Sequence, residues 1–535
     1  MARRNLKKRQ MRDDGAKPCT GLMATLPVFL LSAVSYSILR YFVQPLFRSD
    51  EYYIDEEFHV PQARRYCQAA FHQWDPKITT LPGLYLLSAI VLVPGVQIYN
   101  SVLSMIGILD NNFLHNYDAC SLIALRAVNA IGAPSCLYYA YHRCQQLLLQ
   151  NERKKSLIGE WSYIILSVSV ATFPVIYAPY SMLYYTDAWA TASVFLWYSS
   201  HLNSKKSSWL KIGLGGFCVL CRQTNIAWLV FATIIDVCHC TEQCFPAVKN
   251  SGCTFSYIRA CITELYKCCT VKQSNRFNIL FNLMKKCWLS TYSNLIVIGS
   301  FALFVVFINK GDLVVGDRSA HIPRFHPMQL CYFVIFALTF SLPWILSQYY
   351  FNRQITNSFV KQSTIIFFEL QKNISIVVLI SLATLISGLV YFNTIAHPYL
   401  LADNRHYTFY AWRLLFSPGK PVFLRYLPVP LYACGLYYLD TMLIRSSIAY
   451  KLAFWIVTPL VLCPQYLLEP RYFVVPYLMY KLHSNRNITN SNTFKAAIFE
   501  FITYQMCNFV IMWVFLYHPF TSTMDKTGRL DRFTW

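Results

Sequence analysis

Acidic residues are scarce in this chain: Asp and Glu account for 25 of 535 residues, and charged residues of both signs for only 13%. An ordinary soluble domain has about 25% charged residues, so this composition excludes that class. Hydrophobic residues make up 55%, and apolar runs long enough to cross a bilayer as helices recur along the chain. The clearest runs are 21–43, 160–178, 183–202, 291–309, 328–348, 374–393, 427–446, 450–468 and 496–518. The sequence therefore predicts an all-α polytopic membrane protein.

The chain also has little that would indicate a soluble or nucleic-acid-binding domain. It contains no internal repeat, no low-complexity segment and no basic patch with interleaved stacking aromatics outside the apolar runs. Its 47 Lys and Arg residues lie mainly in connectors between these runs, as expected of cytosolic loops. We therefore interpret residues 1–535 as one membrane domain, whose partner is the lipid bilayer and not a nucleic acid.

The distribution of Lys and Arg predicts which connectors face the cytosol. The basic leader 1–20 is followed by no small-residue cleavage site and is expected to stay cytosolic. The other connectors assigned to the cytosol are 143–155, 203–208, 236–290, 351–372 and 481–486. The remaining connectors are expected on the opposite side of the membrane, called here the far side. They are 44–82, 179–182, 310–327, 394–426 and 469–471. About 12 to 14 crossings of ~20 residues each are expected.

Two apolar runs do not fit simple alternation of sides. The chain must cross an odd number of times between 82 and 143, so "VPGVQIYN" at 93–100 is expected to form a short hairpin. The run 209–235 is basic at both ends and must turn back, most simply at "CRQTN". That turn would bring Arg222 to the far side, where an arginine of a membrane segment normally faces a polar cavity.

Cysteines concentrate in the basic connector 236–290, which holds eight of the 19 in the chain. Thiols stay reduced in the cytosol, so we expect free or lipidated cysteines there and not disulfides. "CHC" at 238–240 lacks the second half of a zinc site at regular spacing. No metal and no other cofactor is expected.

The few acidic residues are unevenly placed, because five of them lie in "DEYYIDEEFH" at 50–59. A short helix opened by Pro61 is expected to follow on the membrane surface, with Val60, Ala63, Cys67, Ala70 and Phe71 on its apolar face. Acids near a helix N-terminus are stabilising, which accounts for Glu57 as the residue nearest this helix. Capping accounts less well for Asp55 and Glu56.

Later segments on the same predicted side carry further charged groups. "HPYLLADNRHYTFYAWRLL" at 397–415 contains His397, Asp403, Arg405 and His406, and "EPRYF" at 469–473 contains Arg471. The guanidinium fork of arginine fits phosphate oxygens. These residues therefore indicate either a site for a phosphorylated, hydroxyl-rich substrate or ion pairs that only anchor the loops.

Several stretches resemble the motifs of one enzyme family. They are "YIDEEFHVPQARRYC", "QWDPKITTLPGLYL", "CRQTNIAW", "GDRSAH", "HPYLLADNRHYTFYAWR", "EPRYFVVPY" and "RFTW", in this order from residue 53 to residue 535. The sequence is similar to the endoplasmic-reticulum α-1,2-glucosyltransferases that take glucose from dolichyl-phosphate-glucose. These enzymes add the last glucose to the lipid-linked oligosaccharide for N-glycosylation.

The resemblance implies a GT-C type fold in the endoplasmic-reticulum membrane, with the active site in a luminal cavity. The donor would be dolichyl-phosphate-glucose and the acceptor the diglucosylated dolichyl-diphosphate oligosaccharide, with inversion at the sugar carbon. It implies Asp55 as the catalytic base and Glu56 as a supporting or alternative carboxylate. Residues expected to bind substrate or phosphate are His59, Arg222, His397, Asp403, Arg405, His406 and Arg471.

Two other functions remain open on the residues alone. One is a sister transferase that adds another sugar by the same general chemistry. No residue pattern in the sequence indicates which sugar is transferred. A membrane transporter would also use broken helices and intramembrane arginine. Alternating access, however, favours paired inverted halves, which this sequence does not show.

Overall fold

The structure is a computed structural model that describes most of the chain. The described residues are 28–29, 31–34, 36–37, 51–105, 119–148, 157–249, 253–270, 274–317, 323–352, 376–417, 419–443, 446–484, 491–521 and 530–535. The leader 1–20, most of the first apolar run 21–43 and most of the connector 351–372 lie outside these residues.

Helices make up nearly all of the described secondary structure. In chain order they are α1 Glu56–Cys67, α2 Gly83–Met105, α3 Leu122–Ala127, α4 Ala133–Leu148, α5 Leu157–Ala171, α6 Pro174–Ile176, α7 Thr186–Leu202, α8 Ser208–Cys221, α9 Ile226–Cys244, α10 Pro246–Lys249, α11 Thr254–Thr270, α12 Ser274–Leu303, α13 Met328–Asn352, α14 Ile376–Asn393, α15 Pro398–Ala402, α16 Tyr407–Phe416, α17 Val429–Met442, α18 Ile448–Leu462, α19 Val474–His483 and α20 Ser491–Tyr517. Shorter π and 3-10 turns join several of them. Two strands, β1 Phe520–Thr521 and β2 Leu530–Asp531, pair antiparallel.

Seven helical segments in the described residues are long and apolar enough to cross a membrane. They are 83–101, 159–181, 223–244, 278–308, 328–347, 376–393 and 492–517, and two shorter apolar helices, α8 and α18, accompany them. This confirms the predicted all-α polytopic membrane protein. The number of 12 to 14 crossings stays a prediction.

Helix α7 lies at the centre of the fold. Nearly all of its residues are buried, from Thr186 to Ser200, and it packs against α4 and α8. Its small residues, Ala188, Ala190 and Ala192, let these neighbours approach closely, as is common between membrane helices. The central position of α7 places its first residues at one end of the core.

The turn predicted at 221–225 is confirmed. Helix α8 ends at Cys221, Arg222 adopts an extended conformation, and a 3-10 turn at Gln223–Asn225 leads into α9. The Asn225 side-chain amide donates hydrogen bonds to the Ala190 and Cys218 carbonyl oxygens, both at 3.0 Å. It thereby satisfies backbone groups that the broken helix leaves open.

The hairpin predicted at 93–100 is wrong, because α2 is continuous through Pro94. A proline removes one backbone hydrogen bond, a loss that apolar helices tolerate. A disulfide joins Cys67 to Cys120 and holds the start of α3 beside the end of α1.

The structure corrects the bounds of α1. The helix begins at Glu56 and contains Pro61, so Pro61 does not open it. As the sixth residue of α1, Pro61 lacks only the N–H group that would bond to the Glu57 carbonyl, and the helix continues through it. Val60, Ala63 and Cys67 share one face as predicted, but this face packs into the main protein core and does not lie on a membrane surface. The helix ends at Cys67, so Ala70 and Phe71 fall outside it, and Phe71 is exposed.

The described cysteines of the connector 236–290 carry no disulfide. Several lie between α9, α11 and α12, where they pack around the buried residues Phe245, Val248, Tyr257 and Leu283. They fill a small apolar core that is far in sequence from the charged segments at 50–59 and 397–415.

Candidate functional site

A cavity of about 320 Å³ opens between segments that are far apart in sequence. Seven of the nine predicted site residues line it, namely Asp55, His59, Arg222, Asp403, Arg405, His406 and Arg471. Glu56 and His397 do not. Its other charged lining residues are Lys77 and Glu469.

Asp55 presents its carboxylate to this cavity. It occupies the N-cap position of α1, yet its side chain makes no capping hydrogen bond. Its side chain is 38% exposed, and Oδ2 lies 3.9 Å from Nη1 of Arg471. The preceding residue, Ile54, has φ of +46°, a rare conformation for a β-branched side chain. Such local backbone strain concentrates at functional sites.

Glu56 lies one residue further on but points away from the cavity, into the protein. It is fully buried, and its carboxylate accepts hydrogen bonds from Arg126 at 2.9 and 2.5 Å. The backbone N–H groups of Tyr184 and Tyr53 donate to the same carboxylate at 2.8 and 3.1 Å. A carboxylate with four donors has no room for a substrate hydroxyl, so its placement indicates a structural role.

His59 lines the cavity as an uncharged group. Burial lowers the pKa of its imidazole below the ordinary value, although the nearby Asp55 carboxylate acts in the opposite direction. Its Nδ1 lies 2.5 Å from the hydroxyl of Tyr85. A neutral imidazole held in this way can hydrogen-bond a sugar but offers no charge to a phosphate.

The wall beside Asp55 is a network of paired charges. Arg471 donates two hydrogen bonds to Glu469, at 2.5 and 2.9 Å, and a third to Asp187 at 3.3 Å. Arg222 also forms an ion pair with Asp187. Burial by itself would raise the pKa of Glu469, but the adjoining Arg471 guanidinium holds it below its usual value.

Asp187 is a site residue that the sequence reasoning missed. It lies in the first turn of the central helix α7. Its Oδ1 pairs with Arg222 and its Oδ2 with Arg471. The signal was present, because an ionisable residue inside an apolar run indicates a functional site by default. Asp187 is the only carboxylate in the predicted run 183–202.

The loop after α15 supplies the opposite wall of the cavity. Arg405 donates two side-chain hydrogen bonds to Asp403, at 2.8 and 2.7 Å. Burial would raise the pKa of Asp403, but these hydrogen bonds and the adjoining charges lower it instead. The Arg405 side chain remains 29% exposed and lines the cavity, and its Nη1 is 3.9 Å from Asp531.

Lys77 is a second residue that the sequence reasoning missed. It lines the cavity, and its ammonium group lies 5.0 Å from the centre of the Phe58 ring. Arg222, Arg405 and Arg471 each have a carboxylate partner, whereas Lys77 forms no ion pair with the residues that the structure describes. "WDPK" in the first far-side loop was the available signal.

His397 lies behind the loop and not in the cavity. Its Nδ1 accepts a hydrogen bond from the Tyr399 N–H group at 3.1 Å, which caps the short helix α15. Its ring packs against Tyr466 with 4.6 Å between centres. These contacts fix the entry to the Asp403–His406 loop.

A smaller cavity of about 190 Å³ adjoins the first and shares Arg222 and Arg471 with it. It continues inward to Asp187, Asn225 and Trp228. Within the described residues, no group of three or more His, Cys, Asp or Glu side chains is placed to hold a metal ion.

Comparison with known proteins adds to this geometry. The chain is 33% identical to a human protein named "Dol-P-Glc:Glc(2)Man(9)GlcNAc(2)-PP-Dol alpha-1,2-glucosyltransferase", over 91% of this chain and 93% of that protein. Proteins of the same name from Drosophila melanogaster and Arabidopsis thaliana are 33% and 26% identical, over 82% and 96% of this chain and 84% and 100% of theirs. No solved structure matches the chain significantly. The DIE2/ALG10 family matches residues 49–482, and this chain belongs to that family.

Proposed function

We propose that this protein transfers glucose from dolichyl-phosphate-glucose to the diglucosylated lipid-linked oligosaccharide, in α-1,2 linkage. The names of its relatives supply the donor, the acceptor and the linkage. The observation that carries the proposal is the carboxylate of Asp55, which faces a cavity whose walls bear Lys77 and Arg405. One carboxylate beside separate cationic groups suits the transfer of a sugar from a phosphate to a hydroxyl.

The reaction is a single displacement at the anomeric carbon of glucose. The acceptor hydroxyl oxygen forms the new bond to that carbon as the bond to the phosphate oxygen breaks. Asp55 takes the hydroxyl proton, which gives general-base assistance of about 10²–10⁴ in rate. The electron pair of the broken bond stays with dolichyl phosphate. Because this leaving group is already an anion, no general acid is required.

The donor phosphate binds on the cationic side of the cavity. Arg471 is held by Glu469 and Asp187, so its donors are largely occupied. Arg405 keeps a partly exposed guanidinium edge, and Lys77 forms no ion pair within the described residues. We assign the departing phosphate to Arg405 and Lys77, where preorganised charge favours the transition state. Asp55 then faces the acceptor hydroxyl from the other side.

The direct test is a transfer assay with purified protein and dolichyl-phosphate-glucose. Acceptors that end in one, two or three glucoses are compared. We expect elongation of the acceptor with two glucoses and not of the other two. Elongation of a different acceptor would instead indicate a sister transferase. Transport of a solute without any transfer of glucose would indicate that the protein is a membrane transporter.

We further propose that the cavity opens to the lumen of the endoplasmic reticulum. The Cys67–Cys120 disulfide supports this, because such bonds persist in oxidising compartments. The basic connectors support it independently through their cytosolic preference.

Insertion of small tags tests this orientation. Tags at 50, 320 and 400 are expected to be protected from protease in sealed microsomes, and tags at 150, 260 and 360 to be cleaved, since the basic connectors alternate with the others. Detergent permeabilisation is the control that exposes every tag. Cleavage at 400 in sealed vesicles would place the Asp403–His406 loop in the cytosol and contradict the proposal.

Replacing Arg405 with Ala tests the donor side. We expect the KM for dolichyl-phosphate-glucose to rise about tenfold and turnover to fall, because a phosphate contact acts in both the ground and the transition state. Arg413→Ala is the matched control, since Arg413 lies exposed on the following helix and stacks on Phe409 outside the cavity. A change in the acceptor KM alone would mean that the two sides are assigned in reverse.

A further inference from the structure

The segment 530–535 packs into the site, although the nearest other cavity-lining segment in sequence is 467–472. Asp531, Arg532 and Thr534 are 8%, 6% and 1% exposed, which is unusual for charged and polar residues outside a core. Thr534 lines the cavity itself. The "RFTW" motif at 532–535 has no role in the proposed transfer so far.

The segment 530–535 first binds the loop that carries Asp403, Arg405 and His406, which is the donor-phosphate loop. The Thr534 N–H group donates to the Arg405 carbonyl at 2.8 Å, and the Tyr407 N–H group donates to the Thr534 carbonyl at 3.1 Å. These two bonds flank His406 as a parallel bridge between the two segments. Nδ1 of His406 lies 2.6 Å from the Trp535 carbonyl oxygen. The segment therefore adds to the loop as a short strand, and main-chain hydrogen bonds set its register.

The same segment also binds the side of the cavity that carries Asp55. The Trp535 indole N–H group lies 3.2 Å from the Ala178 carbonyl oxygen, and the Tyr180 hydroxyl donates to the Trp535 carbonyl at 3.2 Å. The Tyr53 hydroxyl donates to the Arg532 carbonyl. Tyr53 lies two residues before Asp55. The segment 530–535 therefore connects the two walls of the cavity.

Arg532 anchors this connection to a long helix. Its guanidinium donates to the carbonyl oxygens of Phe515 and Leu516 at 2.7 and 2.9 Å, and it stacks over the Phe515 ring. These are the last carbonyls of α20, which lack partners within the helix. A cation at this end is also favoured by the helix dipole.

We propose that the segment 530–535 is a positioning element that sets the distance between the donor-phosphate loop and the base-bearing segment. It deepens the proposed function, on which its kinetic consequence rests. Neither Arg532 nor Trp535 is assigned a contact with substrate. They act through Arg405, His406 and Tyr53, and small misplacements of reacting groups can cost about 10²-fold in rate.

The test compares Arg532→Met with Arg532→Lys. Methionine keeps the apolar stem but cannot donate to the helix carbonyls, whereas lysine can. For Arg532→Met we expect the donor KM to rise about tenfold, turnover to fall further and the acceptor KM to stay unchanged. Arg532→Lys should recover most of this loss. Trp535→Phe is a milder second variant, which removes the indole N–H group and keeps a ring in place.

Hydrogen exchange gives a readout that does not depend on glucose transfer. In Arg532→Met, exchange should rise at 403–408 and 530–535 and stay unchanged in α7. Trp513→Leu, on the exposed side of α20, should behave as wild type in exchange and kinetics.

Unchanged exchange at 403–408 together with unchanged donor KM, in both Arg532→Met and Trp535→Phe, would overturn the positioning role. A rise in exchange throughout the molecule, α7 included, would also overturn it, because the segment would then only stabilise the fold. Absence of transfer by the wild-type protein would instead count against the proposed function, and the exchange result would still decide the role of the segment.

Discussion

Asp55→Asn is expected to lower glucose turnover by at least about 10²-fold while the protein stays as stable as wild type. Asparagine keeps the size and hydrogen-bonding capacity of aspartate but cannot accept the hydroxyl proton. The Asp55 side chain makes no capping bond and is partly exposed, so the fold does not depend on its charge. The measurement is transfer by detergent-solubilised protein, with thermal unfolding recorded on the same samples.

Glu57→Gln is the matched control for this substitution. Glu57 lies two residues further along, in the first turn of α1, and is exposed outside the cavity. It should retain most of the wild-type turnover and lose at most ~1 kcal/mol of stability through the helix dipole. Near-normal turnover of Asp55→Asn would show that another group accepts the proton.

Glu56→Gln is expected to have the opposite profile, with a large loss of stability and a smaller effect on turnover per folded molecule. The substitution removes the charge that neutralises the Arg126 guanidinium at a fully buried site. Breaking a buried ion pair from one side costs about 3–5 kcal/mol. The glutamine amide would also direct N–H groups at the Arg126, Tyr184 and Tyr53 donors. Thermal unfolding in detergent should therefore occur at a clearly lower temperature.

The double variant Glu56→Gln/Arg126→Gln separates pairing from other effects. If the ion pair is the cause, the double variant should be more stable than the sum of both single losses predicts. Wild-type stability of Glu56→Gln together with lost transfer would contradict the structural role. It would return Glu56 to the position of candidate base, as the family resemblance allowed.

The two neighbouring acids show where sequence reasoning reached its limit. Both were predicted as candidate catalytic residues, because both carry a carboxylate and they are adjacent in the chain. Consecutive residues at the start of a helix point about 100° apart, so one can face a cavity while the next faces the core. The helix was expected to begin at Pro61, and this error hid the difference.

Charge pairing across the chain was equally out of reach. Asp187 and Lys77 were missed, although the predicted site residues Arg222 and Arg471 line the same cavity. Asp187 pairs with Arg471 across 284 positions of sequence. No local pattern encodes such a contact, because it depends on how the first turn of α7 packs beside the 3-10 turn Pro470–Phe473.

The sequence by itself determined the membrane class, the predominance of helices, the break at Arg222 and the family. Each of these rests on local features, since a bilayer acts on each apolar run of about 20 residues separately and a motif is read along the chain. Only the tertiary structure decided which carboxylate faces the cavity, which cation lacks an ion-pair partner among the described residues, and that the segment 530–535 joins the two walls. These properties depend on side-chain direction and on contacts between distant segments, which are fixed when the helices pack together.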